Sequence, residues 1–90
     1  MFQWDEKKAN SNEAKHFVSF LFATRAFDDE NRLTIIDRRS DYGEIRYITL
    51  AKIDNRVYIV VFTLRSSIIR LISARKANSQ EVKRYENYQL

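Results

Sequence analysis

Hydrophobic and polar positions divide this chain into short stretches of differing period. Residues 57–64 (Val-Tyr-Ile-Val-Val-Phe-Thr-Leu) are almost unbroken in apolar, β-branched and aromatic side chains, which predicts a strand covered on both faces. Arg65, Ser66 and Ser67 interrupt the run, and a second β-rich stretch follows from Ile68 to Arg75. The pair reads as an antiparallel hairpin whose loop, lacking Gly and Pro, is weakly signalled. In strict alternation Arg70 falls on the face of Ile68 and Ile72, and Arg75 on the other with Leu71 and Ser73. A guanidinium set among aliphatic side chains needs an anion, from the fold or from a ligand.

Phe2 to Trp4 form a possible first strand. Asp5 caps a helix running to about Lys15, with His16 at its end. Ser19 caps a second helix from Phe20 to about Phe27, in which Phe20, Ala23 and Phe27 recur at helical spacing and should pack on a sheet. Asp28-Asp29-Glu30-Asn31 reads as a solvated loop. Residues 33–38 and 44–53 are strand candidates, with turn chemistry at 39–43 and a two-residue turn at Asp54-Asn55. Asn78 and Glu81 have the spacing of a capping box opening a last helix, whose inner face carries Val82 and Tyr85. The fold class is α+β: about four antiparallel strands, two N-terminal helices packed on them, and a C-terminal helix.

Ninety residues form one domain, 1–90. The chain has no Cys, so disulfide and thiol chemistry are excluded. No apolar run reaches membrane-spanning length and the N-terminus is not a signal peptide, so a cytoplasmic protein is expected. The formal charge of +4 is unevenly placed: residues 1–64 balance ten Lys/Arg against ten Asp/Glu, and residues 65–90 hold six against two. A basic C-terminal third suits RNA, DNA or an acidic protein, or is simply a solvated face. One His without Cys excludes the usual zinc patterns, and Gly43 stands alone, so neither a metal nor a phosphate-cradling loop is expected.

Metal-free RNA cleavage needs a base for the ribose 2′-hydroxyl, cations for the crowded phosphate and an acid for the leaving oxygen. His16, Glu44 and Tyr85 are the proton-transfer candidates; Arg46, Arg65, Arg70 and Arg75 are the phosphate candidates. Structural roles compete with each. Glu44 and Arg46 share a strand face and can pair, His16 can cap its helix, Arg70 can satisfy Asp37, and Tyr85 can be a core aromatic with a wet hydroxyl.

The order of residues adds to this. Phe2-x-Trp4-Asp5-x-x-Lys8-Ala9-x-x-Asn12-x-x-Lys15-His16-x-Val18-Ser19-Phe20 resembles the N-terminal signature of the BrnT toxin family. The match continues through Phe27-Asp28-Asp29, Glu44-x-Arg46, Val60-Val61-Phe62-Thr63-x-Arg65 and Ile69-Arg70-x-Ile72-Ser73-Ala74-Arg75-x-Ala77, and closes with Glu81 and Tyr85. The resemblance implies a RelE-like ribonuclease toxin of a bacterial type II toxin–antitoxin pair, inhibiting translation. It also implies a hetero-oligomer with a BrnA-like antitoxin that alone carries DNA binding. The expected catalytic set is His16, Glu44, Arg46, Arg70 and Arg75, with Lys15, Arg65, Lys76 and Tyr85 on RNA and no cofactor. The rival expectation is a non-enzymatic basic module binding RNA or protein. Two positions depart from the family, which usually has Gly where this chain has Phe17 and often where it has Ala51.

Overall fold

The computed structural model describes residues 1–39, 41 and 43–90. Ser40 and Tyr42, within the turn expected at 39–43, lie outside the described residues. The order of elements is β1 (Phe2–Gln3), α1 (Glu6–His16), α2 (Phe20–Ala23) running on as a 3-10 turn (Thr24–Asp28), β2 (Leu33–Ile36), β3 (Arg46–Ile53), β4 (Arg56–Arg65), β5 (Ile68–Lys76) and α3 (Ser79–Tyr88). The α+β class stands, with a correction to the sheet. Among the described residues it has five strands in the order β1-β5-β4-β3-β2 and is mixed rather than purely antiparallel. Phe2 and Gln3 pair in parallel with Ile69 and Arg70, a register set by tertiary packing that a two-residue strand cannot announce.

The helix starts follow their caps. Asp5 accepts from the N–H groups of Lys7 and Lys8, and Ser19 from that of Phe22, so donors left over at each first turn are satisfied. Asn78 and Glu81 complete a reciprocal capping box on α3. The second helix is shorter than expected, tightening to 3-10 geometry after Ala23. The β3–β4 and β4–β5 hairpins each turn on two residues of positive φ, Asp54-Asn55 and Ser66-Ser67. This is the primed geometry that matches strand twist, reached in the second case by serines.

One sheet face is closed by α1 and α2. Phe20, Ala23 and Ala26 pack there against Ala51, Tyr58, Val60, Phe62, Leu71 and Ala74. A relay of rings extends this layer: Phe2–Phe27, Phe27–Phe62 and Phe62–Tyr47, with centroids 5.1–5.4 Å apart. On the opposite face, at one end, Val82 and Tyr85 of α3 meet Leu50, Val57, Ile59 and Val61. The remainder of that face carries the candidate site.

Candidate active site

The site begins with an irregularity in β5. Val61 pairs with Ser73 and Phe62 with Leu71, so Ile72 is an extra residue and the strand bulges. Two residues opposing one shifts the alternation by one position. Arg70 and Arg75, expected on opposite faces, therefore share one, and the strict-alternation expectation is corrected. Arg70 lies opposite Thr63, which lies opposite Arg46, so Arg46, Thr63 and Arg70 form a polar row across three strands. Two rows further along, Arg75 lies opposite Ile59 and Ile59 opposite Leu50.

Around this row the basic groups have nearby anchors. Glu44, just before β3, reaches Arg46 at 3.7 Å and Arg65 at 3.5 Å. Arg75 grips Glu81 with both terminal nitrogens, at 2.9 and 2.8 Å. That fork holds the Glu81 carboxyl below its usual range and raises Arg75, in each case against the opposing effect of burial. Arg70 donates to the Gln3 side-chain carbonyl at 2.7 Å, and not to Asp37 as the structural alternative supposed. Asp37, its side chain fully enclosed, instead takes a bidentate bond from Arg39 at 2.8 and 2.7 Å. Arg39 is close enough to act on the charges of Arg75 and Glu81. Thr63 donates its hydroxyl to Ile45 O at 2.6 Å, tying the approach to β3, and hence Glu44, to the middle strand.

Gln3, Thr63 and Arg39 carried no assigned role in the sequence reading. The alternation Ile35-Asp37-Arg39 was a usable signal for the last. Gln3 had none, because its position depends on the parallel register of β1.

His16 closes α1 at the edge of β5. Asn12, one turn earlier, is buried and donates to Ala74 O at 2.8 Å and Val18 O at 3.0 Å, while its own oxygen accepts from the Ala74 N–H at 3.1 Å. One amide thus satisfies a strand edge that lacks a neighbouring strand, and fixes α1 against it. His16 and Lys15 share a shallow groove with Ile72 and Ser73, and Ser73 belongs to the arginine-bearing face by its pairing with Val61. Phe17 ends the helix in the left-handed conformation, φ 60° and ψ 29°, its N–H bonded to Glu13 O. The αL helix end expected of Gly is therefore reached with Phe.

Two of the expected RNA contacts lie apart from this group. Lys76 lies opposite Tyr58 and lines a groove on the helical face with Phe17 and Phe22. Tyr85 is buried, and its hydroxyl donates to Asp29 at 2.6 Å. Burial, then that carboxylate, push the phenol up to about 12, so the wet hydroxyl expected for Tyr85 is corrected to a bonded one. Asp29 is not merely solvated either. Burial pushes its carboxyl up, but the Lys52 and Asn31 N–H groups and the Tyr85 hydroxyl outweigh it and leave the pKa lowered.

A small α+β domain that sets Arg46, Arg70 and Arg75 on one sheet face defines a class of basic proteins suited to polyanions. Residues 4–81 match the model of a family described as the ribonuclease toxin, BrnT, of type II toxin–antitoxin systems, and the chain belongs to that family. It is accordingly a ribonuclease toxin, and such a system pairs it with an antitoxin. No curated protein matches the chain significantly by sequence. No described helix is long and apolar enough to cross a membrane.

Proposed function

We propose that RNA is cut on the arginine-bearing half of the sheet by metal-independent transesterification, as in RelE-like toxins, so that translation is inhibited. The carrying observation is the register row Arg46–Thr63–Arg70, which sets two part-exposed guanidiniums on one sheet face beside Glu44 and Arg65. In this reading a base removes the 2′-hydroxyl proton, the 2′-oxygen bonds to the adjacent phosphorus, the bond to the 5′-oxygen breaks, and an acid returns a proton to that oxygen. Atoms balance without water or an oxidant. Arg46 and Arg70 meet the charge of the crowded phosphate, with Arg75 at the far end of the surface. His16 and Glu44 exchange the protons, His16 from the strand edge beside Ser73 and Glu44 from between two arginines. Lys15 and Arg65 guide the flanking phosphates.

The same surface suits the antitoxin. A BrnA-like partner that covers the arginines and α3 with an acidic segment blocks the substrate and forms a hetero-oligomer, leaving DNA contact to the antitoxin. Both partners then act in the cytoplasm, where translation occurs.

The test is His16→Gln, with chelator present throughout. The variant keeps RNA and antitoxin binding and loses most cleavage. Cleavage that depends on a divalent ion, or that survives the substitution, overturns the mechanism.

A further inference from the structure

Phe17 is an outlier on two counts. Its backbone sits in the left-handed region, which is unfavourable for any side chain with a Cβ and favours Gly. Its ring is 85% exposed, so burial within the chain does not offset that cost. A residue held in a sparsely populated conformation points to a functional constraint. The surroundings say which kind. The end of α1 is a ridge between two grooves: Lys15 and His16 line one with Ser73, and Phe17 lines the other with Lys76, Phe22 and Tyr58. An exposed ring with Lys15 in the groove on one side and Lys76, together with Glu13, in the groove on the other, next to a candidate catalytic imidazole, has the composition of a single-strand RNA contact, in which a base stacks on the ring and cations hold the backbone.

We propose that Phe17 is a stacking platform for one base of single-stranded RNA, next to the nucleotide whose 2′-hydroxyl faces His16. The inference rests on the reading that RNA crosses the arginine face towards His16, and gives that path its next station. A second copy of this chain is a poor occupant, because a two-fold contact sets Lys15 and Lys76 against their own equivalents. An apolar segment of the antitoxin is the rival, since Leu21 nearby is also exposed.

The experiment uses the full chain and a short 2′-O-methylated single-stranded RNA of mixed sequence, which binds but cannot be cut. Phe17→Gly is chosen because Gly suits the backbone conformation, and Phe17→Tyr because it keeps the ring. Loss of one stacked base weakens RNA binding by about 5- to 150-fold in Phe17→Gly. KM for a cleavable RNA rises with kcat little changed, antitoxin affinity is kept and Tm does not fall. Phe17→Tyr behaves as the parent. Unchanged RNA affinity in Phe17→Gly overturns the assignment, and a simultaneous fall in antitoxin affinity transfers the ring to that interface. Arg70→Ala separates the two levels. If it weakens RNA binding while Phe17→Gly does not, only the stacking platform fails; if neither does, or the parent chain does not bind the probe, the reading of the arginine face fails as well.

Discussion

The two faces of this sheet come from the same strands and are stabilised differently. On the helical face Phe20, Ala23, Val60 and Ala74 are at most 1% exposed, and close packing leaves no room for choice of side chain. On the other face α3 covers one end, and the rest is a surface of arginines with anchors at Glu44, Glu81 and Gln3. Burial of apolar surface does most to hold the first together. The second contributes less, since partly exposed ion pairs are worth little, and its arrangement is better explained by what it must bind. The lesson is that loss of stability and loss of activity should separate by face.

The largest effect is expected on the helical face. Phe20→Ala removes a fully buried ring that also packs edge-on against Trp4, with centroids 6.0 Å apart, and should cost about 3–5 kcal/mol. For a domain of this size that is a large share of total stability. Chemical denaturation should show a much lower midpoint, and a small shift would mean that the helical layer is dispensable.

Next in size come Arg46→Ala and Arg70→Ala. Both should lower cleavage by ~10²-fold or more, as for other preorganised donors to developing charge, with near-parental unfolding midpoints. If either variant unfolds, the row is structural and the comparison between faces breaks.

Arg75 is where the two roles meet. Both terminal nitrogens are engaged by Glu81, which also accepts from the Asn78 N–H, so Arg75→Ala loosens the start of α3 as well as removing a cation. With the pair partly exposed, a loss of about 0.5–1 kcal/mol is expected. Because the folded-state pKa of Glu81 is lowered, its contribution is present above the unfolded value, near 4.3, and disappears as pH falls through the lower folded value. Thermal melts of Glu81→Gln should therefore differ from the parent at neutral pH and converge with it in acid. A constant difference across pH would assign the effect to packing.

The helical face was legible in the sequence because its signals are local: the Asp5 and Ser19 caps, and the spacing of Phe20, Ala23 and Phe27. The arginine face was legible by residue type and not by arrangement. Alternation separates Arg70 from Arg75, and only the bulge at Ile72 brings them to one face. A bulge without Gly leaves no mark in the residues. The partnership of Arg70 with Gln3 joins residues 67 apart in sequence, and that of Tyr85 with Asp29 links the last helix to a loop read as solvated. These follow from tertiary packing, which periodicity does not encode.

The smallest expected effect comes from the two hairpin turns. Asp54 and Asn55 occupy positive φ with residue types that tolerate it. Ser66 and Ser67, at 51° and 68°, do so at the tip of the hairpin that carries Arg65 and Arg70, where a β-carbon is a cost and no short polar amide offsets it. The primed turn is kept, so replacement by a residue that prefers this conformation should stabilise the fold without moving the strands. Ser67→Gly relieves about 1–2 kcal/mol of left-handed strain and gives back about 0.4–1 kcal/mol to unfolded-state freedom, so stability should rise by about 1 kcal/mol at most and cleavage should be unchanged. Asn55→Gly, already well suited, should do less. If Ser67→Gly stabilises the chain and also lowers cleavage, the serine turn holds the arginine surface in place, and the two faces are less separable than their packing suggests.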